Sequence, residues 1–210
     1  METLTHQRLA EATDALATTD KDLARLLKRD GVPPLWARRP GFVTLVRIVF
    51  EQQVSLASAA ATYRRLTDDL APLTPECILA AGVEHLRSLG ITRQKAAYCI
   101  NVAEAIRSAD LDLKAVGRSD DDSAIRALTR VTGVGPWTAI IYLLMALRRP
   151  DVWPTGDIAL AAAAQSVKRL RKRPTQEELT ELAEGWRPHR AAAARMLWQH
   201  YLNGLSKTEA

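Results

Sequence analysis

Cysteine is scarce in this chain of 210 residues, which contains only Cys77 and Cys99. Each lies in an apolar stretch of helical pattern, so we interpret both as buried thiols that pack as small hydrophobic groups. Two cysteines cannot supply the four thiolates that ligate an iron–sulfur cluster. We therefore expect no iron–sulfur cofactor.

Long apolar runs are missing as well. The longest, from Trp137 to Leu147, carries Thr138 and Tyr142 and is too short to cross a bilayer. The first residues lack the basic and apolar segments of a signal peptide. These absences predict a cytoplasmic protein that does not act at a membrane.

Sustained alternation of apolar and polar residues is absent too, so no sheet is predicted. The ten glycines and ten prolines fall mostly between segments of helical periodicity. We predict an all-α fold in which Thr175 and Glu178 form a capping box and Pro188 lies in the first turn of the last helix. The predicted helices cover about 6–18, 20–31, 42–51, 55–70, 75–81, 84–89, 93–108, 122–130, 137–147, 157–170 and a final segment to about 202.

The chain is basic, with a formal net charge of +5 and a pI near 9.5. A basic surface favours polyanionic partners because phosphate contacts release counterions. Composition alone leaves the identity of the partner open. The basic run 168–173, KRLRKR, suits either a phosphate contact or a solvated helix end.

The segment 128–139, LTRVTGVGPWTA, predicts a hairpin between two helices. One helix ends, Gly133 and Gly135 form a tight turn, and a second helix begins at Pro136. Glycine permits positive φ and close approach of another chain, and N–H groups at a helix N-terminus form an anion site. Such a motif binds a DNA backbone without reading its sequence. Taken alone, a Gly-x-Gly turn is better explained by an ordinary helix connection.

Four further segments make the pattern specific: FEQQVS at 50–55, LGITRQKA at 89–96, WPTGD at 153–157 and WRPHR at 186–190, leading to Trp198. In order and spacing, over nearly the whole chain, the sequence resembles the helix-hairpin-helix DNA glycosylases. Within them it is most similar to the family of bacterial 3-methyladenine DNA glycosylase II and its yeast relatives. The resemblance implies a base-excision-repair enzyme of the nucleoid, a monomer that flips a damaged base out of duplex DNA and hydrolyses its bond to the sugar.

By this resemblance, Asp157 is the catalytic residue. Cleavage of a base–sugar bond passes through an oxocarbenium-like state, and a nearby carboxylate can stabilise that cation and orient or deprotonate the attacking water. An aspartate at a helix start is usually explained as an N-cap. The hairpin upstream favours the catalytic role, and capping can coexist with it.

A tryptophan stands where strand-cutting relatives carry a lysine. These relatives place the lysine two residues after the second hairpin glycine, and that position is Trp137 here. A Schiff base requires an amine, which indole lacks. We therefore predict a monofunctional glycosylase without lyase activity, which leaves the abasic site intact.

The resemblance also implies a base pocket and a DNA-binding surface. Trp137 and Trp198 match aromatic positions of the pocket, where a π face attracts alkylated purines that carry positive charge. For Trp198, the alternative interpretation as a core residue has equal weight. Gln53 matches the residue that enters the gap left by the flipped nucleotide, and a polar linker residue is the alternative. The DNA contacts are expected from Gln53, Ser55, Gly133, Val134, Gly135 and Thr138.

Three departures from the family pattern affect the substrate. Ile141 and Ile158 stand where the bacterial enzyme has pocket tyrosines, and the N-terminal β-domain is expected to be absent, which gives a compact form. We expect release of 3-methyladenine and 7-methylguanine. The alternatives are a glycosylase for etheno or deaminated bases, and a non-catalytic helix-hairpin-helix protein that binds damaged DNA.

The family's hairpin often holds a monovalent cation, Na⁺ or K⁺, through main-chain carbonyls. By alignment these carbonyls belong to Thr129, Val131 and Val134, and no other cofactor is expected. We predict two helical subdomains that flank a DNA-binding cleft. One covers 41–149 and contains the hairpin, and the other combines 1–40 with 150–210 and carries Asp157.

Overall fold

The structure, a computed structural model, describes residues 3–208, and all regular secondary structure within that range is helical. The all-α prediction is therefore confirmed. Contacts within the chain divide it into two compact units, Arg38–Leu147 and the combination of Met1–Ala37 with Arg148–Ala210. The boundaries expected from the sequence were 40/41 and 149/150.

The unit 38–147 is built around two apolar helices that pack on each other. The first, α3, is buried along most of its length, and the second, α9, has seven buried residues in a row from Thr138 to Leu144. α3 also packs on α4 and α6. The helices of this unit are α3 (Phe42–Glu51), α4 (Leu56–Asp69), α5 (Pro75–Ser88), α6 (Arg93–Arg107), α7 (Leu113–Arg118), α8 (Asp121–Thr129) and α9 (Pro136–Met145).

The other unit is centred on its last helix, α12, which packs against α1, α2 and α10. Ala191 to Ala194 are fully buried on α12, and small side chains at these positions let the neighbouring helices approach closely. The helices of this unit are α1 (His6–Thr19), α2 (Lys21–Asp30), α10 (Ile158–Lys168), α11 (Gln176–Glu184) and α12 (Arg190–Thr208).

The start of α12 differs from the prediction. Pro188 precedes the helix, which begins at Arg190 and continues to Thr208, beyond the expected end near 202. The first N–H groups are satisfied from elsewhere in the chain: Arg190 N donates to the Asp151 carboxylate at 3.3 Å, and Ala191 N donates to Pro150 O at 3.1 Å. A helix start capped by a distant segment carries no local sequence signal.

Two smaller differences concern α5 and α7. The segments 75–81 and 84–89 were expected as separate helices, and the structure joins them across a kink at Gly82, where φ is +69°. Helix α7 was not predicted; it is six residues long and is capped by Asp112, which accepts from Lys114 N and Ala115 N. The capping box of Thr175 and Glu178 is confirmed. Among residues 3–208, no helix is long and apolar enough to span a membrane.

Candidate active site and nucleic-acid interface

The predicted hairpin is present in the unit 38–147. Helix α8 ends at Thr129, and the turn closes through a hydrogen bond from Val134 N to Val131 O at 2.9 Å. Helix α9 then begins at Pro136, with Gly135 at the N-cap position and no side-chain cap. A helix start without a side-chain cap has N–H groups suited to an anion.

The two hairpin glycines lie in different surroundings. Gly133 has φ of +101°, and a Cβ added to it would lie 2.3 Å from Cγ of Tyr98. Gly135 has an extended backbone with φ of −80°, and a Cβ there would meet no atom within 4 Å. Of the two properties of glycine considered for the turn, positive φ therefore applies to Gly133, whereas Gly135 offers only room for close approach. Its missing side chain leaves open space beside the start of α9.

Two predicted DNA contacts in the hairpin have buried side chains. Val134 is 3% exposed and Thr138 is 2% exposed. The hydroxyl of Thr138 accepts a hydrogen bond from Gln52 Nε2 at 2.8 Å. Any phosphate contact made by these two residues therefore has to come from main-chain atoms.

Gln52 has a structural role that the sequence did not predict. Its side-chain amide donates to Gly133 O at 2.9 Å as well as to the Thr138 hydroxyl, so one amide joins the end of α3 to the turn and to the second helix of the hairpin. The segment FEQQVS contains two adjacent glutamines, and nothing local distinguishes the one that turns inward. Gln52 fixes the hairpin relative to the segment that begins at Gln53.

That segment, residues 53–58, is exposed throughout. Gln53 has the left-handed φ of +55°, and Ser55 caps α4 by accepting from Ser58 N at 3.2 Å. Just before this segment in the chain, at the end of α3, the carbonyl of Phe50 accepts a hydrogen bond from Lys95 Nζ at 2.7 Å. Partial burial lowers the pKa of Lys95. An anchored helix end thus presents Gln53 to solvent.

Asp157 lies in the other unit as the N-cap of α10. It is 8% exposed, and its Oδ1 accepts hydrogen bonds from Leu160 N at 2.8 Å and from Trp198 Nε1 at 3.3 Å. The Asp157 side chain therefore caps helix α10, as the sequence predicted. The structure also brings Trp198 directly to the predicted catalytic residue.

The remaining pocket candidates differ in exposure. On α9, Trp137 is half-buried and Ile141 is 3% exposed. Ile158, the first residue of α10, is 71% exposed beside Asp157. Because Trp137 and Ile141 belong to one unit and Asp157 and Ile158 to the other, their common pocket stays a prediction.

The basic run 168–173 divides into a structural part and an exposed part. Lys168 Nζ contacts Asp20 Oδ2 at 2.6 Å and Asp22 Oδ2 at 3.0 Å, so its charge is engaged within the unit. Trp186 Nε1 donates to the same Asp20 oxygen at 2.8 Å. Burial raises the pKa of Asp20, but hydrogen bonds from Lys168, Trp186 and Leu23 outweigh it and hold the pKa below its ordinary value. The exposed cations of the run are Arg169, Arg171, Lys172 and Arg173.

Within the described residues, no three His, Cys, Asp or Glu side chains come together in an arrangement that could hold a metal ion. The two cysteines differ: Cys99 is buried, whereas Cys77 is only half-buried, in contrast to the expectation for it. The main-chain carbonyls predicted to hold a monovalent cation, those of Thr129, Val131 and Val134, lie between the last residue of α8 and the start of α9, and Val131 O already accepts a hydrogen bond from Val134 N. Carbonyls at a helix C-terminus lack intrahelical partners and suit a monovalent cation.

Comparisons with known proteins agree with this geometry. Residues 46–188 match the family model of the HhH-GPD superfamily base excision DNA repair protein. DNA-3-methyladenine glycosylase 1 of Schizosaccharomyces pombe is 29% identical over 198 residues, which cover 91% of this chain and 87% of the relative. A putative DNA-3-methyladenine glycosylase of Bacillus subtilis is also 29% identical, over 60% of this chain, and the match spans 44% of that protein's length.

A solved structure shows the same fold. The Schizosaccharomyces pombe 3-methyladenine DNA glycosylase in complex with abasic DNA superposes with a TM-score of 0.85 and 28% sequence identity, covering 90% of this chain and 95% of that one. The matched family model extends over more than half of the 210 residues and includes the hairpin and Asp157. The chain therefore belongs to the HhH-GPD superfamily of base excision DNA repair proteins.

Proposed function

We propose that this protein is a monofunctional DNA glycosylase that flips alkylated purines out of duplex DNA and releases them by hydrolysis. The observation that carries the proposal is the environment of Asp157, a nearly buried carboxylate held by Leu160 N and Trp198 Nε1. It lies within a chain whose relatives include named 3-methyladenine glycosylases.

The chemistry follows from the carboxylate. As the bond between base and sugar breaks, positive charge develops on the sugar, and the Asp157 carboxylate stabilises it electrostatically. The same group orients the attacking water or accepts its proton. Water then adds at the sugar carbon, and the departing purine leaves as the free base. An alkylated purine with a positively charged ring is already a good leaving group, so a single carboxylate suffices.

The absence of strand cleavage follows from Trp137. A lyase step requires an amine that attacks the sugar and forms a Schiff base. Trp137 is an indole at the position where strand-cutting relatives carry that amine, so the product is an intact abasic site.

DNA binding is assigned to the hairpin and to the segment that begins at Gln53. The uncapped start of α9 and the open space at Gly135 suit a phosphate. Gln53 would fill the gap left by the flipped nucleotide. A Na⁺ or K⁺ ion held by the carbonyls of Thr129, Val131 and Val134 would place positive charge beside the same phosphate. The protein acts in the cytoplasm as a monomer.

A second substrate class is favoured by the aliphatic residue that follows Asp157 in the chain and by a second aliphatic residue predicted for the pocket. Ile158 is 71% exposed next to Asp157, and Ile141 replaces a second ring. Without the two tyrosine rings, a pocket gains room for an etheno or deaminated base, at the cost of aromatic attraction for a cationic purine.

The test is chromatographic detection of free bases released from methylated, etheno-modified and deaminated duplex DNA. From methylated duplex DNA we expect release of free 3-methyladenine or 7-methylguanine. The DNA strand should remain intact until alkali is added. Release of etheno or deaminated bases alone would support the second substrate class. Strand cleavage without alkali would contradict the monofunctional assignment. Binding without release of any base would contradict the enzyme assignment.

A further inference from the structure

Trp36 is an aromatic residue in an unusual backbone conformation. It lies in the connection after α2 and is only half-buried, yet its φ is +47°. Left-handed φ is unfavourable for a bulky residue and persists where the surrounding structure enforces it. Such residues cluster at functional sites.

The strained backbone at Trp36 is held by α12. Arg195, which is fully buried, donates from Nε to Leu35 O at 3.0 Å and from a terminal guanidinium nitrogen to Ala191 O at 2.9 Å. Leu35 itself is 4% exposed and anchors the connection in the core. The residue before Trp36 is therefore fixed by a hydrogen bond and by packing, which sets the direction of the Trp36 side chain.

The Trp36 ring is directed against Trp198. The two ring centroids are 6.5 Å apart with an interplanar angle of 70°, an edge-to-face arrangement. This geometry is one of the favourable arrangements of two aromatic rings. Trp198 in turn donates its indole N–H to Asp157 Oδ1 at 3.3 Å. Trp36, Trp198 and Asp157 thus form a contiguous series within one unit of the chain.

We propose that Trp36 is a positioning residue for the hydrolysis, which fixes the ring of Trp198 and thereby the carboxylate of Asp157. Trp198 then has a second role besides lining the pocket, because its N–H restrains one carboxylate oxygen. The proposal rests on the proposed function for its catalytic consequence, while the restraint on Trp198 can be tested without any activity.

A positioning role agrees with the place of Trp36 in the series. Trp36 packs against the indole of Trp198 rather than against the carboxylate itself, so its removal leaves the reacting groups present but less restrained. Small displacements of a reacting group lower a rate strongly while leaving binding largely intact. The expected signature is therefore a loss in the rate of base release with little change in affinity for DNA.

Two variants distinguish the effect of the Trp36 ring from the effect of its left-handed backbone conformation. Trp36→Gly removes the ring and tolerates φ of +47°, whereas Trp36→Phe keeps an aromatic edge against Trp198. Ala109→Gly, at another residue of positive φ (+63°) in the other unit, is the matched control for relief of backbone strain. Far-ultraviolet circular dichroism and thermal unfolding establish that each variant is folded.

The first measurement is nuclear magnetic resonance of the five tryptophan indole N–H groups, assigned with single Trp→Phe variants. In Trp36→Gly the Trp198 signal should shift and exchange faster with water, and Trp36→Phe should restore most of the wild-type position. The second is single-turnover base release together with the Kd for lesion-containing DNA. Trp36→Gly should slow release about tenfold, with Kd changed less than about twofold.

An unchanged Trp198 signal in Trp36→Gly would overturn the proposal, and so would a shifted signal with an unchanged rate. A loss of DNA affinity equal to the loss of rate would also overturn it, because Trp36 would then contact the substrate directly. If wild-type protein releases no base, the proposed function fails, and the indole signal alone decides whether Trp36 restrains Trp198.

Discussion

Gly133 lies against the ring of Tyr98, so close that a Cβ on the glycine would stand 2.3 Å from Cγ of the tyrosine. Tyr98 is on α6, and its hydroxyl accepts a hydrogen bond from Gln94 Nε2 at 2.7 Å. The conformation of the hairpin at Gly133 is therefore set by packing against Tyr98. At Gly135 the protein imposes no such requirement, and the proposed function assigns the open space there to a DNA phosphate.

This difference predicts that alanine substitutions at the two glycines affect stability and DNA binding differently. Gly133→Ala should lower the free energy of unfolding by about 2 kcal/mol or more, because it combines a steric overlap with a left-handed φ. Gly135→Ala should cost less than about 1 kcal/mol, since its backbone conformation suits alanine and only the preference of the N-cap position for glycine is lost. It should nevertheless weaken DNA binding several-fold, because a methyl group would occupy the space beside the start of α9.

Urea unfolding and fluorescence anisotropy with duplex DNA would check both variants. Equal loss of stability in the two would contradict the structural distinction. Unchanged DNA affinity in Gly135→Ala would contradict the assignment of that space to a phosphate.

Gln52 and Gln53 are adjacent and chemically identical, and they should respond differently to the same change. Gln52→Asn shortens the amide so that it no longer reaches Gly133 O and the Thr138 hydroxyl. We expect a loss of about 1–2 kcal/mol in the free energy of unfolding and faster hydrogen exchange in the hairpin. Gln53→Asn is the matched control, since Asn tolerates φ of +55° and Gln53 is exposed. It should keep stability and slow base release.

Urea unfolding and hydrogen exchange by mass spectrometry measure the first effect. Equal stability of the two asparagine variants would show that the Gln52 amide does not fix the hairpin.

Asp20 should make stability depend on pH. Its carboxylate accepts from Lys168 and Trp186, and its pKa in the folded protein is held below the ordinary value of 3.8. A depressed folded pKa gives stability that is fully present above the unfolded pKa and is lost as pH falls through the folded pKa. Asp20→Asn should therefore cost about 1–3 kcal/mol at pH 7, and this difference from wild type should shrink below pH 3.8.

Urea unfolding of both proteins from pH 7 to pH 2.5 provides the measurement. A difference that stays constant over this range would rule out the carboxylate charge as its source.

The two cysteines should differ in reactivity. Burial raises the pKa of Cys99 to about 12, so its thiolate is scarce at neutral pH, whereas Cys77 is half-buried. A thiol-specific reagent at pH 8 should modify one cysteine per folded molecule and two after unfolding. Peptide mass mapping identifies the modified residue. Rapid modification of Cys99 in the folded protein would contradict its burial.

Local sequence signals predicted a large part of the fold. Helix α3 has the bounds expected from its apolar pattern, and the hairpin with Pro136 at the start of α9 occurs where glycine and proline indicated it. Both features are determined by residues that are close together in the sequence, so a local pattern can predict them. Asp157 as the head of α10 was predicted for the same reason.

The interactions that the sequence did not predict join residues far apart in the chain. Asp151 caps α12, the Gln52 amide reaches Gly133, and Trp36 meets Trp198 only after the chain has folded. Periodicity and spacing carry no information on such pairs. The family resemblance proposed roles for Trp198 and Gln53, but it gave no reason to single out Gln52 or Trp36.

The most direct measurement is single-turnover release of 3-methyladenine and 7-methylguanine from methylated duplex DNA by wild type and by Asp157→Asn. Asparagine is as good an N-cap as aspartate, so α10 and the fold should be retained, as circular dichroism can verify. The account predicts release by wild type and a loss of about a hundredfold or more in Asp157→Asn, with DNA affinity retained. Release by Asp157→Asn at the wild-type rate would contradict the central role of this carboxylate.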